Sequence, residues 1–375
     1  MRLADLPTPA LVLDRGRLGR NLQAMSERAK ALGVDLRPHM KTAKSAEVAR
    51  RATAGHSGGI TVATLNEAEY FADNGFTDIT YAVGIVPAKL DRVAALQSRG
   101  VRMTILTDAV DMARAIAARG EALGTRFSTL IEVDTGDRRG GVPASSDDVI
   151  EIGRALHGNR GAALAGVLAH AGHSYDCASI AEVERVAEEE RAGAVTAAER
   201  LRAAGMPSPT VSVGSTPTAV HARKLDGVTE MRPGVYVFGD LFQAGIRSCA
   251  ISDIAVSVLA TVIGHRRTDN RVLIDAGGLA LSKDRSTAGH SFDAGFGLVT
   301  DLTLNPIAGA RVVTANQEHG HVEGAGRLPF EILPRGAKVR VLPNHVCMTA
   351  AMYGRYHVID GGDEVVAVWD RTNGW

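Results

Sequence analysis

Residues 59–83 read GITVATLNEAEYFADNGFTDITYAV. GITVAT is a short β-branched run, LNEAEYFADNG is an amphipathic helical pattern that closes on Gly75, and DITYAV is a second strand. The unit recurs in both directions. Upstream, the helical NLQAMSERAKALG (21–33) leads to the strand VDLRPHMK (34–41) and the helix SAEVARRATAG (45–55). Downstream come AKLDRVAALQSRG (88–100), VRMTILTD (101–108) and AVDMARAIAARGEALG (109–124). FSTLIEVDTG (127–136), ALAGVLAHAG (163–172) and PTVSVGS (209–215) are further strands, with helices around 145–157 and 179–205. Many helices end in glycine, the residue that tolerates a left-handed C-cap.

Strand and helix thus alternate about eight times between residues 20 and 245, which calls for an α/β fold with a parallel sheet and right-handed crossovers. The count and span predict a (β/α)8 barrel of the TIM type. An open doubly wound sheet is the alternative, but no GxGxxG follows the first strand. After about residue 250 the texture changes: IAVSVLATVIGHR, NRVLIDAGG, GARVVTANQEHGHVE, KVRVLPNH, YHVIDG and EVVAVWD are β-rich runs broken by Gly, Asp and Asn. They predict a C-terminal antiparallel β domain. The expected division is a barrel over 15–247 and a β domain over 248–375, joined by the opening strand within 1–14.

The chain has 375 residues, 45% of them hydrophobic, and 42 basic residues balance 42 acidic ones. That balance offers no attraction to nucleic acid or to an anionic membrane. No apolar run approaches the roughly 18 residues a membrane span needs. MRLADLPTPALVLD lacks the pattern of a signal peptide. Cys177, Cys249 and Cys347 form no CxxC pair, which fits a reducing cytoplasm.

Catalytic groups of a barrel lie at the C-terminal strand ends. RPHMKTAK (37–44) places Arg37, His39, Lys41 and Lys44 at the first such end. A lysine partly desolvated there has a lowered pKa and a nucleophilic amine; a solvated basic loop reads the same way. VSVGSTPT (211–218) is a late strand end where Gly214 permits close backbone approach and Ser215, Thr216 and Thr218 offer hydroxyls. It suits a phosphate, or simply a capped turn. MRPGVYVFGD (231–240) follows, with Gly234 and Tyr236 expected at the end of the next strand. HAGHSYD (170–176) carries His170, His173 and Tyr175, and EVDTGDRRGG (132–141) carries Asp134, Arg138 and Arg139. Each serves equally as a ligand contact or as structural polarity. In LPNHVCMTAAM (342–352), His345 and Cys347 stand two apart. On a strand they share a face, and imidazole with thiolate favours zinc. Two protein ligands leave positions open for water or substrate.

Taken together these motifs resemble the D-serine dehydratase / D-threonine aldolase family, fold-type III pyridoxal-phosphate enzymes related to alanine racemase. RPHMKTAK, HAGHSYD, VSVGSTPT, RPGVYVF and PNHVC occur in the family's order, and the likeness runs from TPALVLD to the C-terminal strands. The resemblance implies a barrel plus β domain, usually a homodimer, with pyridoxal 5'-phosphate and a divalent metal as cofactors. It implies that Lys41 is the Schiff-base lysine. Tyr175, Thr216, Gly234 and the backbone of Val235 correspond to cofactor contacts, Tyr236 lies close by, and Arg139 matches an arginine near the pyridine ring. His39 and Ser215, from the same motifs, complete the expected cofactor-binding set. His345 and Cys347 match the metal pair, for zinc first and manganese second. Ala43 stands where the family has a second histidine, Leu168 where a tyrosine is common and Val235 where an asparagine is common.

The implied function is a lyase acting on a small D-β-hydroxy amino acid. Dehydratases of the family carry His-x-Cys and the typical aldolases His-x-Asp, so this chain leans toward D-serine-type β-elimination to a 2-oxo acid and ammonia. Retro-aldol cleavage to glycine and an aldehyde is the alternative. A non-catalytic cofactor carrier and a racemase, with Tyr353 or Tyr356 as second base, rank lower.

Overall fold

The protein's structure, a computed structural model, describes residues 1–289 and 292–375. The chain divides into two compact units, one comprising residues 24–41, 48–234 and 374–375 and the other residues 1–23, 42–47 and 235–373. After β1 (Ala10–Asp14), helix and strand alternate: α1 (Arg15–Ala31), β2 (Asp35–Leu36), α2 (Ala46–Ala52), β3 (Ile60–Val62), α3 (Leu65–Asp73), β4 (Asp78–Gly84), α4 (Leu90–Ser98), β5 (Arg102–Thr107) and α5 (Val110–Leu123). The series continues through β6 (Phe127–Asp134), β7 (Val142–Pro143), α6 (Asp148–Leu156), β8 (Ala162–Ala169), α7 (Ile180–Ala203), β9 (Thr210–Val213), α8 (Thr216–His221) and β10 (Glu230–Met231).

In the first unit, parallel strands run in the order β2-β10-β9-β8-β6-β5-β4-β3, with β7 added beside β6. A parallel bridge between His39 and Thr61 joins the two ends of that order. Met40 N donates to Thr61 O at 2.8 Å, and Thr61 N to Pro38 O at 3.0 Å. This is the expected (β/α)8 arrangement. Strand interiors are continuously apolar, as buried parallel strands must be: Ile60 and Val62 on β3, and Leu130, Ile131 and Val133 on β6, are all buried. Local chemistry sets the helix ends. Thr64 caps α3 by accepting from Glu67 N at 3.0 Å, and Glu67 Oε2 accepts in return from Ala63 N at 2.9 Å. α5 stops at Gly124, whose φ of 65° is left-handed. α7 opens on Ser179, which accepts from Glu182 N at 3.2 Å, and buries Val183, Val186, Ala187, Ala194, Ala197, Ala198 and Leu201 along one stripe.

One strand is shorter than its sequence suggests. VDLRPHMK makes a ladder only at Asp35–Leu36 and the bridge at His39, and Lys41 falls in the turn that follows. Proline at position 38 donates no hydrogen bond, which is why the ladder breaks before it. Arg37 points away from any ligand role: it pairs with Asp78 at 2.8 Å and Glu230 at 2.7 Å.

The other unit is an antiparallel sheet built from β11 (Val256–Arg266), β12 (Arg271–Ile274), β13 (Gly297–Thr300), β14 (Pro306–Ala315), β15 (Gly320–Glu323), β16 (Lys338–Pro343), β17 (Arg355–Ile359) and β18 (Ala367–Asp370). β1 lies between β11, antiparallel, and β17, the sheet's parallel neighbour. Helices here are short: α9 (Leu241–Gly245), α10 (Gly278–Leu281) and α11 (Val346–Ala350). Two readings change. MRPGVYVF leaves its strand at Met231, and Val235–Val237 is a single 3₁₀ turn, because Pro233 and Gly234 cannot prolong the ladder. LPNHVC leaves its strand at Pro343, so His345 is the N-cap of α11 and Cys347 sits in that helix's first turn. Among the described residues, no helix is long and apolar enough to cross a membrane.

Candidate active site

At the C-terminal ends of the barrel strands, His39 and His170 are half-buried beside Lys41, Arg139 and Arg232. Burial, then Lys41, Arg232, His170 and Arg139, hold the His39 pKa well below its ordinary value. Burial first, and Lys41 with Arg139 and Arg232 after it, push His170 down to about 3, against a smaller upward pull from the Gly214 carbonyl. Both rings are therefore neutral imidazoles at neutral pH. His170 Nδ1–H donates to Gly214 O at 2.8 Å, and His39 Nδ1 accepts from Lys41 N at 3.3 Å. The cationic groups Lys41, Arg139 and Arg232 that act on both rings suit an anionic ligand. The Lys41 side chain is exposed rather than desolvated, since it stands in a turn beyond the strand.

The Gly-Ser-Thr turn after β9 is built around a glycine that nothing else replaces. Gly214 has φ 131°, and a Cβ there would lie 2.8 Å from Arg232 N. Ser215 caps α8: its Oγ accepts from Thr218 N at 3.2 Å and lies 2.8 Å from Ser174 Oγ. Thr216 is buried in the first turn of α8. Tyr175 belongs to the 3₁₀ segment Gly172–Asp176 that follows β8. Arg139 is exposed, with Asp137 Oδ2 at 3.6 Å from its Nε. The hydroxyl-rich turn and the cationic cluster fit a phosphate-bearing cofactor, and an amine at position 41 fits one with an aldehyde.

In the other unit, Cys347 lies within hydrogen-bonding reach of the His345 ring. His345 Nδ1 is occupied by Asp284 Oδ2 at 2.6 Å, and Asp284 Oδ1 also accepts from Ser286 Oγ at 2.7 Å. Nε2 is left for Cys347. The pair converges through the helix N-cap, not along a strand. Burial lowers the His345 pKa, but Cys347, Asp240 and Asp284 outweigh it and raise it to about 10. Burial opposes ionisation of Cys347, yet His345 and then Thr42, whose Oγ1 is 3.1 Å from Sγ, bring its pKa below the usual thiol value. The two groups favour each other's charged form and share one proton, which a divalent metal bound there would displace. A carboxylate on the far nitrogen is the arrangement that orients a metal-bound histidine. Among the described residues, no group of three or more His, Cys, Asp or Glu could hold a metal.

The segment after Lys41 is tied to the β sheet of this unit. Ala43 O accepts from Tyr356 Oη at 2.7 Å and Arg371 Nε at 3.1 Å, and Lys44 O accepts from Thr372 N at 2.9 Å. Tyr353 Oη donates to Ala280 O at 3.0 Å. Both tyrosines considered as a second base thus have their hydroxyls committed to backbone carbonyls. Buried Val235 and Tyr236 form the 3₁₀ turn after Gly234.

Sequence reasoning passed over Arg232, Asp284, Thr42 and Glu190. Arg232 is buried, its Nη2 donating to Ala169 O at 2.7 Å, and burial chiefly lowers its pKa to about 10. It stood inside a quoted motif. Asp284 lies far from His345 in sequence and gave no signal.

Comparison with known proteins places these units. Residues 13–241 match the family model "Alanine racemase, N-terminal domain", and residues 255–359 match "Putative serine dehydratase domain". The D-threo-3-hydroxyaspartate dehydratase of Delftia sp. (strain HT23) is 47% identical over 378 residues, covering 100% of this chain and 99% of that protein. The D-serine dehydratase of Dictyostelium discoideum is 31% identical over 393 residues, covering 99% and 98%. Other relatives are 3-hydroxy-D-aspartate and D-threonine aldolases. Among solved structures, a cysteine-to-alanine variant of D-threo-3-hydroxyaspartate dehydratase in the metal-free form superposes with TM-score 0.97 at 46% identity, covering 100% of both chains.

Proposed function

The chain belongs to the D-serine dehydratase / D-threonine aldolase family of fold-type III pyridoxal-phosphate lyases, and on that premise we propose that it is a metal-assisted dehydratase of D-3-hydroxy amino acids. D-threo-3-hydroxyaspartate is the first candidate substrate and D-serine the second. The His345–Cys347 pair, with Asp284 on the outer nitrogen, carries the reading of β-elimination over retro-aldol cleavage. The full-length similarity to a hydroxyaspartate dehydratase supports the order of substrates.

Pyridoxal 5'-phosphate, when bound, supplies an electron sink for charge developing at the substrate Cα. A divalent metal, zinc in this reading, supplies Lewis-acid polarisation of the β-hydroxyl. Lys41 would hold the cofactor aldehyde, and its Nζ would serve as the general base for the substrate's α-proton. Thr216, Ser215 and the backbone at Gly234 and Val235 would hold the phosphate, and His39, Tyr175, Tyr236 and Arg139 would contact the rest of the cofactor. His345 Nε2 and Cys347 Sγ would hold the metal, and Asp284 would keep the imidazole turned to it. Exposed Met348 and Met352, on and just beyond α11, are apolar surface that a homodimer would cover. The three unpaired thiols fit a cytoplasmic enzyme.

The test is product analysis with D-threo-3-hydroxyaspartate, D-serine and D-threonine, with and without zinc. Oxaloacetate or pyruvate with ammonia is expected, from the first two respectively. Glycine with glyoxylate or acetaldehyde, and no 2-oxo acid, overturns the dehydratase in favour of the aldolase.

A further inference from the structure

Among the carboxylates that the barrel buries, one that the mechanism above does not use touches two of its loops. Glu190 lies on the apolar stripe of α7, between Ala187 and Ala194, and is 2% exposed. A charged group on such a stripe persists only where its lone pairs are satisfied. Glu190 Oε1 accepts from Ala171 N at 2.9 Å and from Gly214 N at 2.9 Å. Glu190 Oε2 accepts from Thr218 Oγ1 at 2.8 Å. Ala171 stands in the loop after β8, and Gly214 and Thr218 in the turn and helix after the neighbouring strand β9. One side chain braces both loops that the cofactor reading assigns to the ligand.

The bonds also have a direction. Burial raises the Glu190 pKa, and the bonds from Gly214 N, Thr218 Oγ1 and Ala171 N oppose that rise; with Glu190 Oε2 as the acceptor, the single proton of the Thr218 hydroxyl is committed to it. Thr218 Oγ1 must then accept from Ser215 N at 3.1 Å and from Ser215 Oγ at 3.0 Å. Ser215 Oγ, having given its proton to Thr218, accepts from Ser174 Oγ at 2.8 Å. The relay therefore runs Ser174 to Ser215 to Thr218 to Glu190. An amide at position 190 keeps an oxygen for Ala171 N and Gly214 N but turns a donor toward Thr218, which reverses the relay.

We propose that Glu190 is the positioning residue of the phosphate turn: by taking the Thr218 proton it orients the Ser174–Ser215–Thr218 hydroxyls and holds the Gly214 backbone ready for the cofactor's phosphate. The inference rests on the pyridoxal-phosphate reading. It assigns Glu190 no contact with the ligand itself.

The experiment is a spectral titration of the apo-protein with pyridoxal phosphate and, separately, with pyridoxal, which lacks the phosphate. Wild type, Glu190→Gln, Thr218→Val and the double variant are compared. Each single variant is expected to weaken pyridoxal phosphate binding about tenfold, the scale of one charge-assisted hydrogen bond, and to leave pyridoxal binding unchanged. The double variant is expected to match Thr218→Val, because the relay is already cut there. Should Glu190→Gln not fold, Thr218→Val, which leaves the carboxylate and both its backbone bonds, carries the comparison. Equal losses for both ligands, or no loss for either, overturn the inference. A wild type that develops no visible band with pyridoxal phosphate overturns the cofactor reading itself and this inference with it.

Discussion

Mild acid should loosen the barrel through His170. Its ring is held near 3 by burial first and by Lys41, Arg139 and Arg232 after it, against an ordinary 6.5. A group with a lower pKa in the folded state binds fewer protons there than in the unfolded chain. Its contribution is intact above the unfolded pKa of 6.5 and is lost as the pH falls toward 3. At about pH 5 the unfolded imidazole is nearly all protonated and the folded one is not, which costs about 2 kcal/mol; the full span down to the folded pKa is worth roughly 5 kcal/mol. His170→Gln keeps an N–H for the Gly214 carbonyl and takes up no proton. Urea unfolding of the apo-protein, followed by far-UV circular dichroism at a series of pH values, reads the difference. Between about pH 8 and about pH 5, wild type is expected to lose about 2 kcal/mol more than the variant. Saturation with pyridoxal phosphate should shrink that gap, because a nearby anion favours the protonated ring. Parallel pH profiles for wild type and variant in the apo state would refute the neutral imidazole.

Three further outcomes are expected. Thr42→Val removes the hydroxyl 3.1 Å from Cys347 Sγ, and zinc affinity measured by chelator competition should fall about tenfold, with Thr42→Ser restoring it. Cys347→Asp exchanges a soft ligand for a hard one, so metal content after dialysis against mixed metals should shift from zinc toward manganese or magnesium; an unchanged preference would mean the pair does not hold the metal. Gly214→Ala places a Cβ 2.8 Å from Arg232 N at φ 131°, and both cofactor affinity and thermal stability should drop, the latter by about 1–3 kcal/mol.

The barrel was legible because its evidence is local and repeated. Each βα unit announces itself by a β-branched run, a 3.6-residue stripe and a closing glycine, as at 59–83, and the eight-strand parallel order follows from the repetition. The antiparallel domain was legible from the change of texture near residue 250. What failed was local geometry at proline and glycine. Pro38 shortened the strand before Lys41, Pro233 and Gly234 turned the chain at Tyr236, and Pro343 ended the strand before His345. The convergence of His345 and Cys347 was right, though a helix cap produces it. Asp284 and Thr42 reach that pair across 61 and 305 positions of sequence, a separation no local pattern encodes. Glu190 did leave a trace. An acidic residue stands where the stripe Val183, Val186, Ala187, Ala194 calls for an apolar one, and that mismatch marks a buried partner to be found.

Everything functional depends on which amine carries the cofactor. Borohydride reduction of the cofactor-loaded protein, followed by peptide mass analysis, reads this directly. The account predicts a single phosphopyridoxyl adduct on Lys41 and its disappearance in Lys41→Ala together with the visible absorbance. An adduct on Lys44 or on any other lysine, or colour that survives the substitution, would contradict it.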